Sequence, residues 1–533
     1  MKRRTFFKTT ALSGSVVALG GVASCVPQKT EETAKPGFSE FDLNEITIAL
    51  LQQKMESGEL TAVQICEKYL ERIKLVDPVL KSVIEVNPDA HEIAAKLDEE
   101  RKAGKVRGPL HGIPVLIKDN IDTFDKMQTT AGSLALSGHI AETDAFIVKK
   151  LRDAGAVLLG KTNLSEWANF RSTNSSSGWS GRGGQVRNPY FLDRSPCGSS
   201  SGTGVAVAAN LCAVGIGTET NGSIVCPSGI NGLVGIKPTL GMWSRRGIIP
   251  IAHSQDTAGP MTRTVTDAAI LLGALAAFDP TDAETHLVQG ETSNDYAQFL
   301  DADGLNGKRI GLAKQVLGFS APVDALFGEA VKIMQEKGAI VEEIGFENYG
   351  KWENASYEVL LYEFKADLNK YLQEHGKAPV KSLEEIITYN KQNAEKEMPW
   401  FAQEIFEQAQ AKGDLTSEEY LNALSETKRL TGKDGIDAVM EKHQLDAIIA
   451  PTNGPAWTID WVNGDHFLGG SSSLAAISGY PAITVPAGFV HGLPAGISFF
   501  GRAWSEPVLL KIAYAFEQAT LHRKAPDFKE TIE

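Results

Sequence analysis

Basic residues are scarce in this chain, and that scarcity sets a first limit on its function. The 533 residues include 52 Lys and Arg against 66 Asp and Glu, which gives a net charge of −14. No long cluster of Lys and Arg occurs outside the first eight residues. Because binding to nucleic-acid phosphates needs a concentrated basic face, the sequence argues against nucleic acid as a main partner.

The usual patterns of metal-binding residues are also missing. None of the five cysteines has the C-x-x-C spacing of a zinc site, and no H-E-x-x-H pattern is present. The histidines that fall in loops, His111, His253 and His466, are not in a nucleophile elbow, and we interpret them as structural. The sequence therefore predicts no metal site, no cofactor and no Ser-His-Asp triad.

Cysteine is too rare to form a disulfide framework, and a core of this size does not need one. Our default interpretation makes Cys66, Cys197, Cys212 and Cys226 four small buried hydrophobic residues. A disulfide between Cys197 and Cys226 stays open, because both lie close in sequence to the serines considered below.

What is present is an ordinary globular composition, with 42% hydrophobic and 22% charged residues and no internal repeat. From about residue 108 onward, predicted strands alternate with predicted helices. Such alternation is typical of an α/β sandwich with a largely parallel sheet. Residues 320–445 are mostly helical and charged, which fits either a frame for a substrate entrance or a solvated helical layer.

The N-terminus carries a targeting pattern. Residues 2–8 (KRRTFFK) are basic, and residues 11–24 are apolar but too few to span a bilayer as a stable helix. Arg3 and Arg4 resemble the twin arginines of an export signal. We therefore expect a protein that is exported to the periplasm or the cell envelope.

Residues 22–25 (VASC) resemble a lipobox, in which Cys25 would be diacylated and would become the new N-terminus. Two acyl chains would give a stable anchor, and membrane contact is expected only there. The alternative is cleavage of a simple signal peptide nearby. The predicted division is a signal in 1–25, a flexible tether in 26–40 and one domain in 41–533; no oligomeric state is indicated.

One glycine- and serine-rich stretch, residues 197–227, has the features of a catalytic centre. Residues 198–202 (GSSSG) form a small-residue turn that leads into a predicted buried helix. A buried strand follows, and then a polar loop with Asn221-Gly222, which tolerates positive φ and can present consecutive backbone N–H groups. An exposed serine hydroxyl facing such donors can attack a carbonyl carbon.

This stretch resembles the amidase signature family. The GSSSG turn is followed by a second loop that ends Gly222-Ser223-Ile224, and residues 112–120 (GIPVLIKDN) match the segment that carries the family's lysine. The resemblance extends from about residue 41 to the C-terminus, with a signature core in about 108–264. It implies the amidase-signature fold, in which helices cover both faces of a large, mixed, mostly parallel twisted sheet.

The family's catalytic triad would here be Lys118, Ser199 and Ser223. The resemblance implies that Ser223 attacks an amide carbonyl, that Ser199, after a cis peptide bond, relays the proton, and that Lys118 accepts it. For this Lys118 must be neutral, which burial favours. The N–H groups of Thr220, Asn221 and Gly222 would hold the oxyanion.

Two segments differ from the commonest sequences of the family and indicate one branch of it. Residues 219–225 (ETNGSIV) replace the commoner Asp-x-Gly-Gly-Ser-Ile-Arg, and residues 254–260 read SQDTAGP. Both variants look most like the peptide amidase branch, whose members deamidate C-terminal peptide amides. We therefore expect an amidohydrolase of peptide or amino-acid amides.

Other functions are compatible with parts of this sequence pattern. A fatty-acid or aryl amide hydrolase, or a catalytically silent binding lipoprotein, would share the fold; a glutamine-hydrolysing transamidation subunit would be separated from its partners by export. Residues 155–162 (GAVLLGKT) match the phosphate-loop pattern. Because their middle residues are apolar and themselves look like a strand, we do not expect nucleotide binding.

Overall fold

The computed structural model describes residue 38 and residues 40–288 and 292–532. Contacts within the chain gather residues 34–533 into one compact unit. The predicted export signal and the lipid anchor at Cys25 lie outside the described residues, as does most of the predicted tether.

The described residues form one large sheet of eleven strands and one two-stranded ribbon. The large sheet has the order β1-β3-β2-β6-β8-β7-β12-β13-β11-β9-β10, and β4 pairs with β5. The strands are β1 Val83–Val86, β2 Pro114–Lys118, β3 Val157–Thr162, β4 Trp179–Ser180, β5 Gly184–Gln185, β6 Val214–Glu219, β7 Val234–Lys237, β8 Thr257–Thr262, β9 Arg309–Ala313, β10 Ile340–Ile344, β11 Ala447–Pro451, β12 Ala482–Val490 and β13 Leu493–Phe500.

Parallel and antiparallel pairing are mixed in the large sheet. In its described strands four neighbouring pairs are parallel, β2 with β3 and β6, and β9 with β10 and β11. The other six are antiparallel. The expected mixed sheet is confirmed, but the expectation that it is mostly parallel is wrong. The reason lies in connections such as the β12–β13 hairpin, which are too short for a crossover helix.

The α-helices of the described residues are α1 Ile48–Glu56, α2 Ala62–Leu80, α3 Ala90–Lys102, α4 Phe146–Asp153, α5 Ser201–Ala208, α6 Val225–Ile230, α7 Val265–Leu275, α8 Ala321–Glu336, α9 Glu353–Glu374, α10 Leu383–Gln392, α11 Ala394–Glu397, α12 Glu404–Gln410, α13 Glu418–Lys428, α14 Ala438–His443, α15 Ser473–Ser478 and α16 Glu506–Thr520. A π-helical segment, Arg429–Asp437, joins α13 to α14. Residues 320–445 thus contain seven of these helices together with the edge strand β10.

Helices cover both faces of the sheet. Side chains alternate along a strand, so Ile448 and Ile449 of β11 point to opposite faces. Ile449 belongs to the core cluster that includes residues of α8 and α16, whereas Ile448 packs in the cluster that includes residues of α14 and α15. The predicted α/β class with helices on both faces is therefore confirmed.

Two local segments show how tertiary structure modifies or overrides a sequence pattern. α2 continues past Asp77-Pro78 to Leu80, where Lys81 ends it in the left-handed conformation. Asp77 supports this end by accepting a hydrogen bond from the Ser82 N–H at 2.8 Å. The phosphate-loop match, by contrast, is a buried strand, β3, and its Lys161 Nζ donates to the carbonyl of Ile121, so this segment has no phosphate-binding loop.

Candidate active site

Lys118 is the last residue of β2, and its ammonium group lies in the interior. It is fully buried, although it is surrounded by polar acceptors. Its Nζ contacts Ser199 Oγ at 2.8 Å, Thr218 Oγ1 at 2.9 Å and the Thr218 carbonyl at 3.2 Å. The sheet brings these residues together because β2 and β6, which carries Thr218, are parallel neighbours.

Burial lowers the pKa of Lys118 from 10.5 to about 7, although the negative charges of Asp256 and Glu219 act in the opposite direction. A lysine is far less well solvated in the interior than in water, so its neutral form is favoured there. The neutral amine has two N–H groups and one lone pair. If the N–H groups donate to Thr218, whose carbonyl can only accept, the lone pair faces Ser199.

Asp119 does not neutralise the lysine beside it. Its carboxylate accepts hydrogen bonds from Thr130 Oγ1 and from the Gly132 N–H, and it pairs with Arg182. Asp119 therefore faces away from Lys118. The consequence is that the fall in the pKa of Lys118 is not opposed by its neighbour in sequence.

Ser199 lies in the turn before α5, and the peptide bond between Gly198 and Ser199 is cis, as expected. The turn is tied to both β6 and the second serine loop. Ser200 Oγ donates to the Thr218 carbonyl at 3.0 Å, and the Ser200 N–H donates to the Ser223 carbonyl at 3.2 Å. A backbone hydrogen bond thus links Ser200, the residue after Ser199, to Ser223.

Glu219 shapes the loop that carries Ser223. Its buried carboxylate accepts hydrogen bonds from the backbone N–H groups of Ile224 at 2.7 Å and Val225 at 3.0 Å, the residues that open α6. The positive end of the helix dipole also stabilises a carboxylate at this position. Glu219, which stands where the commoner family sequence has Asp, therefore has a structural role. Its hydrogen bonds hold the loop that carries Ser223 between β6 and α6.

The residues predicted as the oxyanion hole precede Ser223 in this loop. Gly222 has φ +84°, which confirms the expected left-handed turn. Within the described part of the chain, no group accepts a hydrogen bond from the backbone N–H of Thr220, Asn221 or Gly222. Three donors are thus left for a substrate oxygen, and their assignment as an oxyanion hole stays a prediction.

Side chains that the sequence analysis did not single out hold this loop from outside. Asp256 Oδ1 accepts a hydrogen bond from Thr220 Oγ1 at 2.6 Å, and Gln255 Nε2 donates to the Thr220 carbonyl at 3.2 Å. Ser472 Oγ donates to Asn221 Oδ1 at 2.7 Å. Asp256 and Gln255 lie in the segment 254–260 noted above, whereas nothing in the sequence pointed to Ser472.

A disulfide joins the two serine loops. Cys197 and Cys226 are bonded, with their Cα atoms 6.1 Å apart, while Cys66 and Cys212 are buried free thiols. The default interpretation is therefore confirmed for Cys66 and Cys212 but wrong for the other two, and the alternative bridge is present. The physical reason is that the loops lie side by side, within the distance that a disulfide can span.

A cleft of about 360 Å³ opens onto the serine loops. Its lining includes Gly198 and Gly222, the disulfide, and a group of polar and aromatic residues, Asn169, Ser177, Trp457, Asp465 and Phe467. Asp465 accepts hydrogen bonds from the Ser177 N–H at 3.0 Å and from Trp457 Nε1 at 2.9 Å. A positioned carboxylate therefore lies in the same cleft as the serine loops.

A second cavity, of about 440 Å³, is lined by Thr218, Thr220, Asp256 and Tyr371 among others. It contains neither Gly198 nor Gly222, so the first cleft is the better candidate for substrate entry. Within the described residues, no helix combines the length and the apolar character that a membrane crossing requires.

Comparison with known proteins gives the family. The family profile of Amidase matches residues 64–510. A probable amidase of Arabidopsis thaliana is 44% identical over 501 residues, which cover 92% of this chain and 93% of that protein. The chain therefore belongs to the amidase family and is a hydrolase of amide C–N bonds.

Solved structures place it within that family. The structure of a peptide amidase in complex with the competitive inhibitor chymostatin is 52% identical, with a TM-score of 0.89 over 91% of this chain and 100% of that one. The native peptide amidase from Stenotrophomonas maltophilia is 51% identical, with a TM-score of 0.88 over 92% of this chain and 100% of that one. The protein is an amidase-signature amidohydrolase similar to peptide amidase.

Proposed function

We propose that this protein is a serine amidase that removes ammonia from C-terminal peptide amides. The observation that carries the proposal is the buried Lys118, which lies 2.8 Å from Ser199 Oγ and has a pKa of about 7. A neutral lysine beside a serine can serve as a base. Neither a lysine that only stabilises the fold nor a silent binding protein requires that arrangement.

The first step is acylation of Ser223. Ser223 Oγ attacks the amide carbonyl carbon, its proton passes to Ser199 Oγ, and Ser199 gives its own proton to Lys118. The Ser200–Ser223 hydrogen bond supports this relay because it holds the two serine loops side by side. The negative charge that develops on the carbonyl oxygen is stabilised by the N–H groups of Thr220, Asn221 and Gly222.

The relay then runs in reverse. Lys118 returns a proton through Ser199 to the leaving nitrogen, the C–N bond breaks, and ammonia departs while the acyl group stays on Ser223 as an ester. Water attacks the ester and passes its proton through Ser199 to Lys118. Lys118 returns this proton through Ser199 to Ser223 Oγ as the ester bond breaks, so one amide and one water yield one carboxylic acid and one ammonia.

The cleft supports peptide amides over simple acyl amides. A peptide amide carries a backbone N–H close to the bond that is cleaved, and an amino-acid amide carries an α-ammonium there. Asp465 keeps lone pairs for such a donor, because Ser177 and Trp457 take only part of its capacity. Trp457 and Phe467, whose rings meet edge to face with centroids 5.7 Å apart, offer an apolar wall for a side chain.

A substrate panel tests the proposal. The purified protein is incubated with C-terminal peptide amides, amino-acid amides, fatty-acyl amides, aryl amides and glutamine, and ammonia or amine release is measured. We expect the highest kcat/KM for peptide amides. If fatty-acyl or aryl amides are cleaved faster, the protein is still a serine amidase, but peptide amides are not its substrate class. If no amide is cleaved, a catalytically silent binding protein becomes the better hypothesis.

Asp465→Asn extends the same panel to the cleft. Asparagine keeps an oxygen for the Ser177 and Trp457 donors but removes the charge that a substrate N–H or ammonium would meet. A hydrogen bond to a charged group is worth about 1.5–3 kcal/mol, so we expect KM for peptide amides to rise about tenfold or more. Acyl amides that lack this donor are the control. An equal rise in their KM would show that Asp465 does not bind the N–H or ammonium group of the substrate.

We also propose that the protein is exported and lipid-anchored at Cys25, in the periplasm or cell envelope. The support is the residue pattern of 2–25 together with the Cys197–Cys226 disulfide, since disulfides persist in oxidising compartments. Cell fractionation tests this. Cys25→Ser should move the protein from the membrane to the soluble envelope fraction, and wild-type protein found only in the cytoplasm would refute it.

A further inference from the structure

Two histidines and one aspartate that have no part in the proposed mechanism meet in the interior. Asp122, His139 and His375 are 0%, 1% and 8% exposed. Each offers one potential metal-ligating atom, and these three atoms lie within 4.8 Å of one another. The residues come from separate segments: the turn after β2, the loop before α4 and the residue that follows α9.

The neighbours of His375 settle where its ring carries hydrogen. Nδ1 lies 2.9 Å from the Tyr371 carbonyl, which can only accept, so Nδ1 is the donor. In the neutral ring the lone pair is then on Nε2, which lies 3.0 Å from Asp122 Oδ2. Apart from His375, no group in the described part of the chain contacts this oxygen. Two electron-pair donors face each other, and a cation between them would be stabilised.

His139 cannot be explained by a simple ion pair. Neither of its ring nitrogens has a hydrogen-bond partner among the described residues, and its ring lies edge-on to that of His375 with centroids 5.5 Å apart. Buried polar groups in folded proteins almost always have a partner. A protonated His375 would form an ion pair with Asp122 but would leave both ring nitrogens of His139 without a partner. A metal ion would be bound by all three side chains.

The contacts around the three residues are those of a supported site. Tyr371 Oη donates to Asp122 Oδ1 at 2.8 Å, so one residue orients both the carboxylate and His375. Metal-binding histidines usually donate their second N–H to a carbonyl or a carboxylate in this way. Lys161, a neighbouring cation, donates to the Ile121 carbonyl and to Thr129 Oγ1, so its ammonium is bound elsewhere.

We propose that Asp122, His139 and His375 bind a zinc ion. Two imidazole nitrogens and one carboxylate oxygen are a common zinc ligand set, at about 2.0–2.2 Å from the metal. Two atoms at these distances from a tetrahedral ion are about 3.4 Å apart. The His375–Asp122 pair, at 3.0 Å, would therefore open slightly, and ligand atoms up to 4.8 Å apart would close. The ion would stabilise the fold by tying the C-terminal end of α9 to the turn that begins after Lys118, and a water molecule would complete its four ligands. This site was not predicted from the sequence, because its ligands have no local spacing pattern.

The test is metal analysis of the full-length protein, produced with an affinity tag that contains no histidine. The protein is stripped with a chelator, incubated with Zn²⁺, passed through a desalting column and analysed by inductively coupled plasma mass spectrometry. We expect one zinc per chain in the wild type and less than a tenth of that in His139→Gln and His375→Gln. Co²⁺ in place of Zn²⁺ should give visible absorption bands that both variants lose.

A matched variant and a second measurement guard against misfolding. His443 also pairs with a carboxylate, Glu342 of β10, but lies outside the cluster, so His443→Gln should keep the full zinc content. Zinc at about 100 times its dissociation constant should raise the Tm of the wild type by about 3 °C. Wild-type protein that holds no zinc and shows no rise in Tm, or histidine variants that keep their zinc, would overturn the proposal.

Discussion

Replacing Ser223 with alanine lowers kcat for peptide amides by about 10⁴-fold or more, with the fold intact. Removal of a serine nucleophile leaves only the binding and the oxyanion donors, which is why losses of this size are typical. The loop that carries Ser223 does not depend on its hydroxyl, because Glu219 bonds to the Ile224 and Val225 N–H groups and Ser200 bonds to the Ser223 carbonyl. Ammonia release in single-turnover and steady-state assays measures the loss.

Two further variants make this result specific. Ser201→Ala removes a hydroxyl two positions from Ser199 that donates to the Cys197 carbonyl at 2.6 Å, and it should keep activity within tenfold of the wild type. The double variant Ser199→Ala/Ser223→Ala should be no slower than Ser223→Ala, because residues that act as a unit are not additive. A Ser223→Ala enzyme with more than a hundredth of wild-type kcat would rule out Ser223 as the nucleophile.

Replacing Lys118 with methionine lowers kcat by about 10³-fold, within the range expected for loss of a base. Methionine fills much of the same buried volume, so circular dichroism should show an unchanged fold. Lys118→Arg is the sharper variant, because arginine keeps a positive charge but does not deprotonate at any working pH. Both variants should lose about 10³-fold in kcat. An arginine variant with a tenth of the wild-type rate would mean that Lys118 acts only as a fixed charge.

The wild-type pH profile belongs to the same prediction. Burial lowers the pKa of Lys118 to about 7, and the relay needs its neutral form. The neutral fraction increases as pH rises through that value, so kcat/KM should increase tenfold per pH unit below pH 7 and level off above about pH 8. A profile that instead falls as pH rises from 6 to 8 would show that the protonated lysine is the active form.

Sequence reasoning was most successful where the chemistry is local. The turn of Ser199, the strand of Lys118 and the loop of Ser223 each have their own residue pattern, and their order along the chain matches the family. The structure places Lys118 against Ser199 and bonds the residue after Ser199 to Ser223. The alternation of predicted helices and strands was likewise enough for the α/β class, because hydrophobic periodicity is set by local geometry.

What the sequence missed depends on contacts between distant segments. Asp465 is far along the chain from Ser177, yet it accepts a hydrogen bond from the Ser177 N–H and lines the same cleft. Strand direction in the sheet and the Cys197–Cys226 bridge also depend on which segments become neighbours. Single residues without a spacing pattern give no signal before the chain is folded.

Chemical labelling tests most directly whether Ser223 is the nucleophile. The wild-type protein is reacted with a fluorophosphonate, digested and analysed by mass spectrometry. We predict a single adduct on the peptide that carries Ser223, loss of amidase activity in proportion to labelling, and little labelling of Lys118→Met. An adduct on Ser199 instead, or full activity in a protein that has been labelled at Ser223, would contradict the account.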